Sequence, residues 1–224
     1  MEKTAIDPKR TYNQFCPLAR SLDILGERWT LLIVRNLFIG PQRYKDLLDG
    51  LPGIGTNLLA ARLKELEKED IIQRRRLPPP AGSTVYELTN LGLGLQEAVF
   101  ALGRWGMWTL RRQAPNPEFR PLWAAAGLKM IFRPQAAAGV HETYEVRIDD
   151  EVFHARVDDG ALEVERGEAR EPELVLASDR ETWLAMGSAS LTPAEALATG
   201  RLRAEGSPAA LAHFARIFPP PAAI

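Results

Sequence analysis

The residues of this 224-residue chain whose types and spacing could do chemistry are amide and basic side chains in its first half. Arg74-Arg75-Arg76 is the most concentrated charge in the sequence. Ahead of it, a segment opening at Thr56 places Leu59, Leu63 and Leu66 on one side of a helix, at about 100° per residue. The other side carries Asn57, Ala60, Ala61, Lys64 and Lys68. Two alanines let a backbone approach base edges, an asparagine can bond adenine, and lysines can meet phosphates. Arg43, beside Tyr44 at the start of a short helix, is a further phosphate ligand, as are the three wing-strand arginines. A solvated amphipathic helix and a solubilising edge strand would show the same patterns.

Catalytic and metal chemistry have less to stand on. His141, His154 and His213 are scattered, and none has a neighbour at ligand spacing. His154 alternates outward on a strand and reads as solvated. Gly53-Ile54-Gly55 ends in Leu58 where a dinucleotide fingerprint needs a third glycine, and it follows no strand. Asp149-Asp150-Glu151 reads as a solvated hairpin tip. No metal or organic cofactor is implied, and the chain is expected not to be an enzyme. The one cysteine, Cys16, cannot form an internal disulfide. It precedes Pro17 at a helix start, where a thiolate is favoured, and Arg20 is one turn away; the alternative is a small half-buried hydrophobe.

These residues need elements to hold them. Pro17 opens a helix with Leu18, Leu22 and Leu25, ended by Gly26. Trp29, Leu32, Ile33 and Leu37 form a second, stopped by Gly40-Pro41. A short helix from Tyr44 to Leu48 follows, then a turn at Gly50–Gly53 and a helix that Thr56 can cap, running to about Glu69. Ile71–Leu77 and Thr84–Leu88 read as two strands around a proline-rich loop, and Thr89 caps a long helix reaching about Arg112. This order is that of a winged helix-turn-helix, in which one helix enters the major groove and the hairpin reaches the backbone or minor groove. The last helix carries more apolar residues than one face can bury, so Leu95, Val99, Leu102, Trp105 and Trp108 are expected to meet a two-fold partner. Burial under the second domain is the alternative.

Composition divides the chain. Residues 1–113 hold 17 Lys and Arg against 12 Asp and Glu, a net of +5; residues 114–224 hold 11 against 17, a net of −6. The basic half suits a polyanion, the acidic half does not. Prolines at 115, 117 and 121 stiffen a linker, giving domains 1–113 and 122–224 joined by 114–121. The second domain alternates as strands at Tyr144–Ile148, Phe153–Val157 and Leu162–Val164, turning at Asp158-Asp159-Gly160. Ser178-x-x-Glu181 and Thr192-x-x-Glu195 read as capping boxes, and Ser207-Pro208 opens a last helix. The result is α+β, a mostly antiparallel sheet with flanking helices. No apolar run approaches the roughly 20 residues of a membrane span, and no secretory signal is visible, so a cytoplasmic protein is expected.

The segment CPLARSLDILGERWTLLIVRNLFIGPQRYKDLLDGLPGIGTNLLAARLKELEKEDII, followed by the basic wing and YELTNLG, resembles the HxlR-type transcriptional regulators of bacteria over about residues 15–112. Asn90 is a departure inside the usual Leu-Thr-x-x-Gly stretch. The resemblance implies operator binding by a homodimer, and in some members a cysteine at the place of Cys16 senses oxidants or electrophiles. The second domain, through Asp159-Gly160, Arg180–Met186, Glu195-Ala196 and Gly200-Arg201-Leu202-x-x-Glu205-Gly206, resembles the sterol-carrier-protein-type fold. That resemblance implies an apolar cavity, which Trp123, Phe132, Trp183, Met186, Phe214 and Phe218 could line or could simply fill. The expected protein is a homodimeric regulator of double-stranded operator DNA, with a small apolar effector in its second domain. The alternative is a hydrophobic-ligand carrier or enzyme whose first domain serves assembly.

Overall fold

The computed structural model describes residues 11–78, 82–107, 109–110 and 118–219. The chain divides into two compact units, Met1–Gln96 and Glu97–Ile224.

In the first unit, α1 (Pro17–Leu25) begins at an extended Cys16 and ends where the Gly26 amide bonds the Leu22 carbonyl at 2.8 Å. It buries Ala19 and leaves Leu18 and Leu22 exposed. Next come α2 (Thr30–Leu37), α3 (Tyr44–Asp49) and α4 (Thr56–Lys68), whose apolar sides meet in a core of Ile33, Val34, Leu47, Leu51, Leu59, Leu63 and Leu66. The cap of α4 is Gly55 and not Thr56, which is the first helical residue. Thr56 lends its carbonyl instead, accepting a 2.7 Å bond from the Tyr44 hydroxyl of α3. The wing is an antiparallel pair, β1 (Ile72–Arg76) and β2 (Thr84–Leu88), with Ile72 opposite Leu88 and Arg76 opposite Thr84. Gln42 anchors it through two backbone bonds to Tyr86, at 3.0 and 2.7 Å.

Thr89 does cap the next helix, accepting from the Gly92 amide at 3.1 Å, but the expected long helix is broken. A short α5 (Asn90–Leu93) ends at Gly94, and α6 (Gln96–Met107) starts anew. Within α5, Gly92 lets the helix press backbone to backbone on the strand entry: a β-carbon there would lie 2.1 Å from the Ile71 carbonyl oxygen.

The second unit holds α6, α7 (Pro121–Ile131), a 3-10 turn at Pro134–Ala137 and a five-stranded sheet. Its strands are β3 (His141–Ile148), β4 (Glu151–Asp158), β5 (Ala161–Arg166), β6 (Leu174–Ser178) and β7 (Leu202–Gly206), in the order β5-β4-β3-β6-β7. Among the described strands, β3 pairs with β6 in parallel and the other pairs are antiparallel. The β4–β5 turn is closed by Asp159 (φ 44) and Gly160 (φ 84), the two positive-φ positions a two-residue hairpin requires. One face, with Tyr144, Val146, Ile148, Phe153, Ala155, Leu174 and Leu176, is buried. The other carries ion pairs, Arg156–Glu163 and Arg147–Glu145 among them. Helices α8 (Arg180–Gly187), α9 (Pro193–Ala198) and α10 (Pro208–Ile217) complete the unit. The Thr192–Glu195 capping box forms, but the Ser178 box does not. Ser178 closes β6, and Asp179 caps α8 by accepting from the Thr182 amide at 2.6 Å.

Candidate nucleic-acid interface

The heptad-like burial of Leu59, Leu63 and Leu66 turns the opposite side of α4 outward, and Asn57, Ala60, Ala61, Lys64 and Lys68 are all exposed there, with Thr56 in the first turn. Arg43 is exposed at the N-cap of α3, its amide donating to Asp46 Oδ2 at 3.0 Å. The helix also carries Glu65 and Glu67, with Glu69 at its C-cap, and these would repel a polyanion. Each is met by an arginine: Glu65 by Arg62 at 2.5 Å, Glu67 by Arg74 at 2.7 Å and Glu69 by Arg20 at 2.7 Å. The Arg74–Glu67 pair joins the wing directly to α4.

The wing arginines divide by their partners. Arg74 lies over the Tyr86 ring, 5.5 Å from its centroid, and its bond to Glu67 raises its already high pKa. Arg75 bonds Glu87 at 2.7 Å and holds that carboxyl below the usual carboxylate range. Arg76 is exposed and has no ion pair among the described residues. Cys16 is half-buried at the N-cap of α1, its carbonyl accepting from the Arg20 amide at 2.9 Å.

Of the expected partner-facing stripe, Leu102 and Trp105 are open, at 52% and 59% exposure, and Leu95 is half-buried. Val99 is corrected: it and Phe100 are buried within their own chain, so they offer no free surface. Trp108 lies outside the described residues.

In the second unit the ring contacts among the described residues gather around two side chains of the buried sheet face, Tyr144 and Phe153. Phe132, Phe214 and Phe218 gather with Tyr144, ring centroids 4.8 to 6.1 Å apart. Trp183 stands edge-on to Phe153 at 6.5 Å. Trp123 on α7 and Met186 on α8 are half-buried. On the opposite face of the sheet, a polar cavity of about 230 Å³ is lined by His154, Arg156, Glu163 and Glu165. His154 is not the solvated side chain its alternation suggests: it is 20% exposed, with Nδ1 3.0 Å from the Gly167 carbonyl oxygen.

Two constellations escape sequence reasoning. Glu142 accepts from the Tyr144 hydroxyl at 2.7 Å and pairs with His213 Nδ1 at 2.7 Å, and burial raises the Tyr144 pKa. Arg62, buried on the inward side of α4, bonds Glu27 at 2.5 Å. Glu27 and Arg62 stand in segments that sequence pattern does single out, but their pairing spans 35 residues and has no local signal. Among the described residues no group of three His, Cys, Asp or Glu side chains could hold a metal ion. No described helix is long and apolar enough to cross a membrane.

Comparison with known proteins bears on both units. A family described as HxlR-like helix-turn-helix matches residues 24–114, and the SCP-2 sterol transfer family matches residues 131–219. The HTH-type transcriptional regulator YodB of Bacillus subtilis is 38% identical over 94 residues, 42% of this chain and 84% of YodB. An uncharacterized HTH-type transcriptional regulator of Synechocystis sp. is 33% identical over 114 residues, 51% of this chain and 84% of its own length. A solved structure of the reduced form of YodB from B. subtilis covers 45% of this chain and 100% of its own, at 34% identity and a TM-score of 0.39.

Proposed function

This chain belongs to the HxlR-like helix-turn-helix family, and from that premise we propose that it regulates transcription in the cytoplasm by binding operator DNA as a homodimer. The observation that carries the reading is the outward side of α4. It is small at Ala60 and Ala61, suited to base reading at Asn57 and cationic at Lys64 and Lys68, and Glu65, Glu67 and Glu69 beside it are each paired with an arginine. In this reading α4 enters the major groove, while Arg43 at the start of α3 and Arg76 at the wing contact phosphates. Arg74 ties the wing to α4 through Glu67, and Arg75 acts within the wing through Glu87. The partner surface centres on Leu102 and Trp105 of α6, two large apolar side chains each more than half exposed.

The second unit is proposed to hold a small apolar effector. What supports this is its match to the SCP-2 sterol transfer family and the aromatic layer of Phe132, Phe214, Phe218 and Tyr144. The relatives are transcriptional regulators, which supports a non-catalytic role.

The test is selection of duplexes from a random-sequence pool by the full-length chain at physiological salt. Recovery of a two-fold symmetric sequence, bound far more tightly than an unrelated duplex, is expected. Recovery of no preferred sequence would return the protein to the carrier class.

A further inference from the structure

Burying a guanidinium is unfavourable unless carboxylates meet it, and α4 carries one on its inward side. Arg62 is 7% exposed beside Leu59, Leu63 and Leu66. One arm of its fork bonds Glu65 at 2.5 Å within the helix, and the other bonds Glu27 at 2.5 Å in the turn between α1 and α2. Its Nε donates to the Arg28 carbonyl oxygen at 3.4 Å. The turn it grips is strained. Trp29 has φ 79, a left-handed conformation that a bulky residue keeps only where its surroundings over-determine it. The Trp29 ring lies 5.2 Å from the Arg28 guanidinium and faces Gly53, just ahead of α4.

We propose that Arg62 is the positioning residue of the DNA-reading face: it ties α4 to the Glu27–Trp29 turn, so that the Asn57–Lys68 side keeps one presentation. This rests on the reading of α4 above and deepens it. Arg62 lies on the opposite side of the helix from Asn57 and does not itself reach DNA. The other two arginine bridges to α4 are open to water, with Arg20 and Arg74 side chains 47% and 55% exposed, and such pairs hold geometry weakly. Arg62 is the buried one, and its planar fork holds two carboxylates and a carbonyl at once. A lysine at this place keeps the charge but cannot reproduce that geometry.

The experiment compares the wild-type full chain with Arg62→Lys, Glu27→Gln and the double variant. Each is titrated with a duplex selected by the wild type and with an unrelated duplex, and thermal unfolding is followed alongside. Each single variant is expected to bind the selected duplex roughly tenfold more weakly, with less than about a twofold change for the unrelated one. The double variant should be no weaker than Arg62→Lys, because both changes cut the same bond. A merely structural role would weaken both duplexes together, in step with the folded fraction. Should Arg62→Lys not fold, Glu27→Gln decides alone, since that carboxylate is 42% exposed. Unchanged discrimination in a folded variant overturns the proposal. A wild-type chain that selects no duplex removes the DNA reading and this proposal with it.

Discussion

Of the three wing arginines, Arg76 is the one with no carboxylate partner among the described residues, and in the proposed reading that makes it the wing charge most available to a phosphate. A cation already paired at 2.7 Å must surrender its partner before it neutralises a phosphate, whereas a free one only releases counterions. Arg76→Ala or Arg43→Ala should therefore weaken all sequences about equally and lower the salt slope by about one unit, while Arg75→Ala does less. Asn57→Ala should instead relax one base position per half-site, at roughly 1–3 kcal/mol of discrimination. If it changes neither affinity nor base preference, the recognition face is misplaced. Cys16 belongs to this scale too. Oxidant or electrophile should weaken operator binding by the wild type and leave Cys16→Ser unaffected; equal sensitivity would make Cys16 a packing residue only.

At the scale of elements, caps and close approaches decide where helices stop and start. Asp179 closes β6 into α8, and the Thr182 amide and hydroxyl hold its carboxyl below the usual range. A depressed carboxylate contributes stability that is full above its unfolded pKa, near about 4, and is lost as pH falls through the lower folded value. Asp179→Ala should thus cost about 1 kcal/mol near neutral pH and less in acid, by denaturant titration at both. An equal cost at both pH values would show that the charge is irrelevant to the cap. Gly92 makes the opposite kind of demand. Gly92→Ala puts a methyl 2.1 Å from the Ile71 carbonyl oxygen, so the first unit should lose about 1–3 kcal/mol or more, with the strand entry displaced.

For the whole molecule the questions are how copies assemble and what the second unit holds. Leu102 and Trp105 are three residues apart on α6, on one side of it, and both are more than half exposed. Trp105→Asp should shift the sedimenting species from dimer to monomer and weaken operator binding, because two half-sites must be held together. A monomeric wild type would refute the assembly. A fluorescent fatty-acid or aromatic probe should bind the full chain and change its operator affinity, and Trp183→Ala should reduce that uptake. An effector acts only through its differential affinity for two states, so binding without any change in operator affinity would leave the second unit a structural role.

The sequence alone determined the parts whose neighbours lie within a few residues. The alternating strands, the Asp159-Gly160 turn, the Thr192 capping box, the inward leucines of α4 and the exposed side opposite them all follow from local geometry, most of it periods of two and 3.6. Backbone geometry fixes such neighbours in advance, so residue types suffice to read them. Tertiary structure decided the rest. Val99 is covered within its own chain, the long helix breaks at Gly94, Gly92 packs against the Ile71 carbonyl, and ring contacts of the second unit gather around Tyr144 and Phe153. Glu142 finds His213 across 71 residues, and Glu27 finds Arg62 across 35. Nothing local selects those partners. A buried guanidinium or carboxylate takes whichever opposite charge the packed core brings within reach, and that choice exists only once the helices have met.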